Sequence, residues 1–271
     1  MNGASREALA AARERLDALT DNTSVDAAKL AEELAAVTAL LDREVSLRRV
    51  LTDPAQAGEA KAELAARLLS GQVGGETVDL VSGMVRSRWS QSRDLVDAIE
   101  VLAATADLTA AQQAGALDDV EDELFRFGRI VASSVELRAA LTDRTATASA
   151  KGELLRSLLG GKVNAVTERL VIRLVTAPRG RSLEAGLESL SKLAAARRNR
   201  MVAVVTTAVP LSDQQKRRLA AVLSKLYGHE MHLNLDVDPE VLGGITVRIG
   251  DEVINGTIAD RIAEANRRIA G

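Results

Sequence analysis

The sequence predicts a mainly α protein. It reads as a tandem duplicated helical bundle of about eleven helices, one of them shared, followed by a small C-terminal α/β module. Three observations predict this. Upstream of about residue 200 the chain is Ala- and Leu-rich, with apolar residues at helical spacing. A shift of 90 residues brings two long segments of that region into register. From Met201 onward the texture changes to short β-branched and alternating runs broken by glycine and proline.

The repeat is read from residues. Ser46–Asp53 (SLRRVLTD) lies over Glu136–Asp143 (ELRAALTD), and Lys61–Val73 (KAELAARLLSGQV) over Lys151–Val163 (KGELLRSLLGGKV). From Val45 to Val85, 18 of 41 positions are identical to their partners. Chance agreement between two Ala/Leu-biased helical segments reaches only about a tenth, so duplication explains the match. The apolar face Leu30, Leu34, Val37 and Leu41 matches Val120, Leu124, Phe127 and Val131, and Leu9, Ala12 and Leu16 map onto Ile99, Leu102 and Ala106. The segment Asp94–Ala106 therefore serves as the last helix of one copy and the first of the next. The expected division is a first copy over 1–106, a second over 95–200 with helix 94–106 shared, and the module over 201–271. Asp53-Pro54 has the form of an N-cap followed by a helix start, while Arg144 replaces the proline in the second copy. Gly71, Gly74-Gly75 and Gly160-Gly161 mark helix ends. The run Arg197-Arg198-Asn199-Arg200 suits a helix C-terminus through the helix dipole.

In the module, VAVVTTAV reads as a strand ended by Pro210. Ser212-Asp213-Gln214-Gln215 is a capping box before a helix carrying Leu219, Val222, Leu223 and Leu226, which Gly228 closes. Leu233, Leu235 and Val237 alternate in a second strand. The block Asp238–Ile262 then holds a strand (Ile245, Val247, Ile249), a turn at Gly250-Asp251-Glu252, a return strand from Val253-Ile254, and a terminal helix with Ile258, Ile262, Ala265 and Ile269 on one face.

Composition narrows the function. The net charge of -3 gives no basic footprint for nucleic acid. Cysteine is absent, which removes disulfides and thiolate chemistry, and the four aromatics (Trp89, Phe125, Phe127, Tyr227) leave almost no stacking platform. The charged N-terminus is unlike a secretory signal, and the apolar runs are too short to span a bilayer, so an intracellular protein is expected. His229 and His232 lack the i,i+4 spacing of a helical zinc site and read as structural. Gly243-Gly244 and Gly250 precede a strand and turn rather than a helix N-terminus, so they read as backbone hinges and not a phosphate cradle. Asp251-Glu252 at a hairpin tip make a poor acid/base dyad, and there is no nucleophile with an attendant base. Neither an enzyme nor a cofactor is expected.

The C-terminal block resembles the signature of the F-type ATP synthase δ subunit family, known in mitochondria as the oligomycin-sensitivity-conferring protein. The matching residues are Asp238, Pro239, Leu242, Gly243, Gly244, Arg248, Ile249, Gly250, Asp251, Val253, Ile254 and Gly256, with Asn255 and Thr257 standing where the family has Asp and Ser. VTTAVPLSDQQ is similar to a second family segment, and each helical copy resembles the family's N-terminal bundle. Ordinary members are shorter by one helical unit, so the chain resembles elongated actinobacterial members, some of which are fused to a membrane-anchored stalk subunit.

The resemblance implies a non-catalytic stator subunit, one copy per complex, peripheral on the cytoplasmic face of the plasma membrane. Its helical bundle would hold N-terminal segments of the α subunits and its C-terminal region would meet the peripheral-stalk b subunit. The head would then resist rotor torque during proton-driven ATP synthesis. The chain carries no anchor, so a separate stalk subunit and an indirect membrane association are expected. For the α-subunit contact the resemblance points to the first helix (Leu9, Ala12, Leu16) and the fifth (Val78, Val81, Val85). Val171 and Val175 occupy the equivalent fifth-helix places in the second copy, which leaves the choice of copy open. The runner-up is a helical adaptor of another assembly with an α/β docking head. A third reading, a nucleotide-dependent enzyme, demands saturable nucleotide binding.

Overall fold

The structure, a computed structural model, describes residues 2–21, 25–198, 200–227, 230–238, 244–249 and 252–255. It divides into two compact units, Met1–Arg197 and Arg198–Gly271. Through the described residues of the first unit run eleven helices: α1 (Gly3–Thr20), α2 (Ala27–Arg43), α3 (Val45–Leu51), α4 (Gly58–Leu69), α5 (Gly75–Arg86), α6 (Ser92–Gln113), α7 (Leu117–Ser133), α8 (Val135–Thr142), α9 (Ala148–Leu159), α10 (Ala165–Thr176) and α11 (Leu183–Arg198). The second unit contains β1 (Arg200–Thr207), α12 (Asp213–Tyr227), β2 (Glu230–Val237), β3 (Ile245–Ile249) and β4 (Glu252–Asn255). The architecture is mainly α with a small mixed sheet, as the periodicity predicts.

The first unit has two apolar cores. Leu16, Leu30, Leu34, Leu41, Leu80, Val81 and Val85 from α1, α2 and α5 fill one. Val120, Leu124, Phe127, Leu155, Leu170, Val171 and Val175 from α7, α9 and α10 fill the other. Helix α6 contributes to both: Leu95, Ile99 and Leu102 to the first, Leu108 and Ala111 to the second. Its buried residues lie on several faces, as expected of a helix packed between two cores.

The repeat extends to polar chemistry. Glu33 on α2 accepts hydrogen bonds from the Gly74 N–H (3.0 Å) and the Thr77 hydroxyl (2.5 Å) at the start of α5. Ninety residues on, Glu123 on α7 accepts from the Asn164 N–H (3.0 and 2.9 Å) and the Thr167 hydroxyl (2.5 Å) at the start of α10. In each copy a distant carboxylate satisfies an N–H at a helix start and sits where the dipole favours negative charge. Gly71 and Gly161 share a left-handed backbone (φ +76 and +70) in the turn after α4 and α9. A side chain there would be strained, which explains why glycine stands at both places.

Two local expectations need correction. Asp53 does not cap a helix at Pro54: its carboxylate accepts from the Ala55 N–H (2.9 Å) in a turn, and α4 starts only at Gly58. Asp143 makes the same turn through Thr145 (2.8 Å), with α9 starting at Ala148. The Asp side chain closes its own local turn in both copies, with or without proline. Gly74, read as a helix end, is the N-cap of α5.

In the second unit the sheet order is β2-β1-β3-β4. β1 and β2 run parallel, as a helical crossover through α12 requires, whereas β1–β3 and β3–β4 are antiparallel. Ser212 and Gln215 form the expected capping box: the Ser212 N–H donates to Gln215 Oε1 (2.8 Å) and the Gln215 N–H to Ser212 Oγ (3.3 Å). Ala203, Val205, Leu223, Met231, Val247 and Ile249 make the core, with Leu219 and Tyr227 packed on it. Leu219, Leu223 and Tyr227 thus form the stripe of α12 that meets the sheet, while Val222 and Leu226 are 57% and 68% exposed. Spacing alone does not separate these two adjacent stripes. The expected terminal helix lies outside the described residues.

Replacing Glu123 or Glu33 with Ala is expected to lower stability by about 2 kcal/mol, the magnitude for losing hydrogen bonds to a charged acceptor. Urea denaturation followed by circular dichroism reads this; an unchanged midpoint in both variants would refute the capping role.

Candidate partner-binding surface

The six residues singled out for partner binding come together on α1 and α5, which pack against each other. Ala12 (5%), Leu16 (0%), Val81 (0%) and Val85 (0%) are buried in the first core. Leu9 and Val78 are partly buried at its edge and reach the surface. The accessible part of this face therefore consists of Leu9, Val78 and the polar residues around them. Arg15 on α1 pairs with Asp79 on α5, and its stem lies 3.7 Å from where a Cβ on Gly83 would be. A Cβ there would meet that stem at ordinary van der Waals distance, so α1's arginine lies directly against α5.

The second copy is built differently at this place. Ile99, Leu102 and Ala106 on α6 are all 0% exposed, because α6 is covered by both bundles. Glu168 stands where the first copy has Val78, and Arg169 where it has Asp79. Arg169 donates to the fully buried Asp107 (3.1 and 2.8 Å), and Arg173 pairs with the same carboxylate.

Asp107 has its counterpart in Asp17, and the partner there was not legible in the sequence. Asp17 is 2% exposed on α1, and Arg197 at the end of α11 reaches it (2.7 Å) while its Nε donates to Gln112 on α6 (2.6 Å). Arg197 is thus not merely a cation at a helix terminus but a buried clamp joining α1, α6 and α11. A second clamp lies in the α10–α11 turn. Arg179, with φ 50 and a side chain 3% exposed, pairs with Asp97 and with Glu100 (3.1 Å) on α6, and with Asp42 on α2 (3.5 Å). These contacts offset the strain of a non-glycine residue in the left-handed region.

Within α4, Lys61 is only 4% exposed. Burial pushes its ammonium pKa below the ordinary lysine value, and the charge of Asp53 partly opposes this.

Of the C-terminal signature, the Asp238 N–H donates to the Thr207 carbonyl (3.0 Å), Gly244 has φ +91, and Arg248 is an exposed residue of β3. Pro239, Gly243, Gly250, Asp251 and Gly256 lie outside the described residues, as does His229. Among the described residues no helix is long and apolar enough to cross a membrane.

A family model described as the ATP synthase delta (OSCP) subunit matches residues 99–269. The chain is 83% identical over 271 residues to ATP synthase subunit delta of Streptomyces griseus, covering 100% of both chains. It is 77% identical over 270 residues to that of Streptomyces coelicolor, covering 100% of this chain and 98% of the relative. For the Thermobifida fusca protein of the same name the identity is 51% over 271 residues, again covering 100% of both. The family match begins within α6, so it falls on the second bundle and the α/β module, whereas these relatives also span the first bundle.

Arg197→Ala is expected to cost about 3 kcal/mol, because it takes a charge-assisted partner from a buried carboxylate. Arg15→Ala, at an exposed pair, should cost under about 1 kcal/mol; equal effects in chemical denaturation would contradict the clamp. Lys61→Met tests burial of the lysine. A base with a depressed folded pKa is held charged against its preference at neutral pH, and stability recovers as pH rises through that pKa toward the unfolded value. The variant should melt higher than the parent at pH 7, and the gap should shrink at alkaline pH.

Proposed function

The chain belongs to the ATP synthase delta (OSCP) subunit family, a structural and not a catalytic part of the F-type ATP synthase, and from that premise we propose that it is the stator connector of its complex. One copy sits on the catalytic head and holds an N-terminal segment of an α subunit. The C-terminal α/β module meets the peripheral-stalk b subunit. The complex lies on the cytoplasmic face of the plasma membrane, and the chain is peripheral to it, attached through its partners. By linking head to stalk, the chain opposes the torque of the rotor while proton flow drives ATP synthesis.

We assign the α-subunit segment to the first bundle, on the outer side of α1 and α5. The observation that carries this is the unequal burial of α1 and α6. Leu9 reaches the surface, whereas its repeat partner Ile99 is sealed inside the double bundle. Val78 likewise offers an apolar contact where the second copy has Glu168. An amphipathic helix laid into a helical surface needs apolar anchors at its centre and a polar rim, and α1–α5 has that composition. The duplication then acts as a relocation: adding a bundle in front of α6 covers the surface there and presents a fresh one on α1.

The test is binding of an α-subunit N-terminal peptide to the full chain by isothermal calorimetry. Val78→Asp and Leu9→Asp should each weaken it about tenfold or more, the scale of losing one apolar anchor. Glu168→Ala should leave it unchanged. Loss of binding in Glu168→Ala with full binding in Val78→Asp would transfer the site to the second bundle.

A further inference from the structure

The seam between the two bundles contains a cavity of ≈ 270 Å³ that the connector role does not use. It lies among α2, α6, α10 and α11, and its walls include Ala39, Ala103, Ala104, Leu174, Leu190 and Leu193. The cause of the opening can be read from side-chain lengths. Gly186 on α11 presses against Leu174 on α10, where a Cβ would come within 2.3 Å of a leucine methyl, so these two helices meet closely. Facing them, α2 and α6 present alanines too short to fill the remaining space.

One side of the cavity is polar. Arg173, Arg179 and Arg181 line it together with Asp42 and Glu100. Arg179 is paired with Asp42, Asp97 and Glu100 and its side chain is 3% exposed, so it is not open to a ligand. The other two are about a third exposed, and each spends one terminal nitrogen on a carboxylate: Arg173 on Asp107, which is fully buried behind it, and Arg181 on Glu100. A guanidinium has five N–H donors, so both retain donors for an incoming acceptor. The volume is near the lower limit of small-molecule sites, which run from about 300 Å³ upward and combine apolar walls with a few placed polar groups.

We propose that this seam is a binding site for a small amphipathic carboxylate, its apolar body among the alanines and leucines and its carboxylate on Arg181 and Arg173. The ligand bridges α2 and α6 of the first bundle to α10 and α11 of the second. It therefore stabilises the join between the copies, because a molecule that binds only the folded seam raises the melting temperature by mass action. The site is remote in sequence from the α1–α5 anchors, so its failure would leave the connector reading untouched.

Octanoate is the probe, with octanol as its uncharged counterpart, both titrated into the full chain by calorimetry and thermal melting. Octanoate should bind saturably with a dissociation constant below about 1 mM and raise the melting temperature, and octanol should bind about tenfold more weakly. Ala39→Trp and Ser189→Trp, exposed positions on opposite walls, should abolish binding of both while circular dichroism stays native. Arg181→Gln, on the rim, should bring octanoate down to the level of octanol. Absence of saturable octanoate binding to the native chain would overturn the proposal, as would undiminished binding in both tryptophan variants. Equal affinity for octanoate and octanol in the parent would overturn the assignment of the carboxylate to the arginines.

Discussion

A helix that must be covered on every side limits what can surround it, and α6 imposes that limit here. Its residues Leu95, Val96, Ala98, Ile99, Leu102, Ala103, Ala104, Ala106, Leu108 and Ala111 are all buried. Left in water, that surface would forgo its burial energy; enclosed between α1–α5 and α7–α11, it supplies part of both cores. The abundance of alanine follows, since neighbouring helices approach closely only where side chains are short. Asp107, within the same helix, tolerates burial because Arg169 and Arg173 compensate it.

Around that helix the two copies keep some interactions and exchange others. The Glu33 and Glu123 caps are the same device used twice, because each copy still needs its fifth helix started in the same place. The aspartates at 17 and 107 are repeat partners with different cations: Arg197 from the far end of α11 for one, α10's own arginines for the other. Asp17 takes this arginine from the other copy. Arg179 adds a second tie across the seam, to Asp42, Asp97 and Glu100. Buried ion pairs contribute little net stability over apolar residues of similar volume. They do penalise misdocking, since a bundle shifted out of register leaves charges buried and unpaired. A join held in one register suits a structural subunit of an ATP synthase.

Most of the fold was legible from residue order. The repeat, the shared helix, the change of texture after residue 200, the capping box at Ser212 and the alternation of Ile245, Val247 and Ile249 are all local patterns, and the structure displays them. The misreadings were also local. Asp53-Pro54 has the form of a helix start, but the aspartate carboxylate closed a turn one residue further on. The helical spacing of Leu219, Val222, Leu223 and Leu226 is present in α12, but spacing does not say which stripe the sheet covers, and Val222 and Leu226 stay exposed. For the candidate surface the family resemblance named α1 and α5, and four of the six residues it named lie on the apolar face that those helices turn into the core.

The sequence by itself pointed to two related bundles sharing one helix around 94–106, where the structure has α6 over Ser92–Gln113, to an α/β module after them, and to the family signature that module carries. These are properties of spacing and residue type, and they act over a few turns or along a repeat. Only the tertiary structure decided which of two equivalent faces remains open, which cation meets Asp17 across 180 positions, and where short side chains leave a cavity. Those outcomes depend on which surfaces meet, and two copies with nearly the same periodicity become unequal once one is enclosed and the other lies at the end.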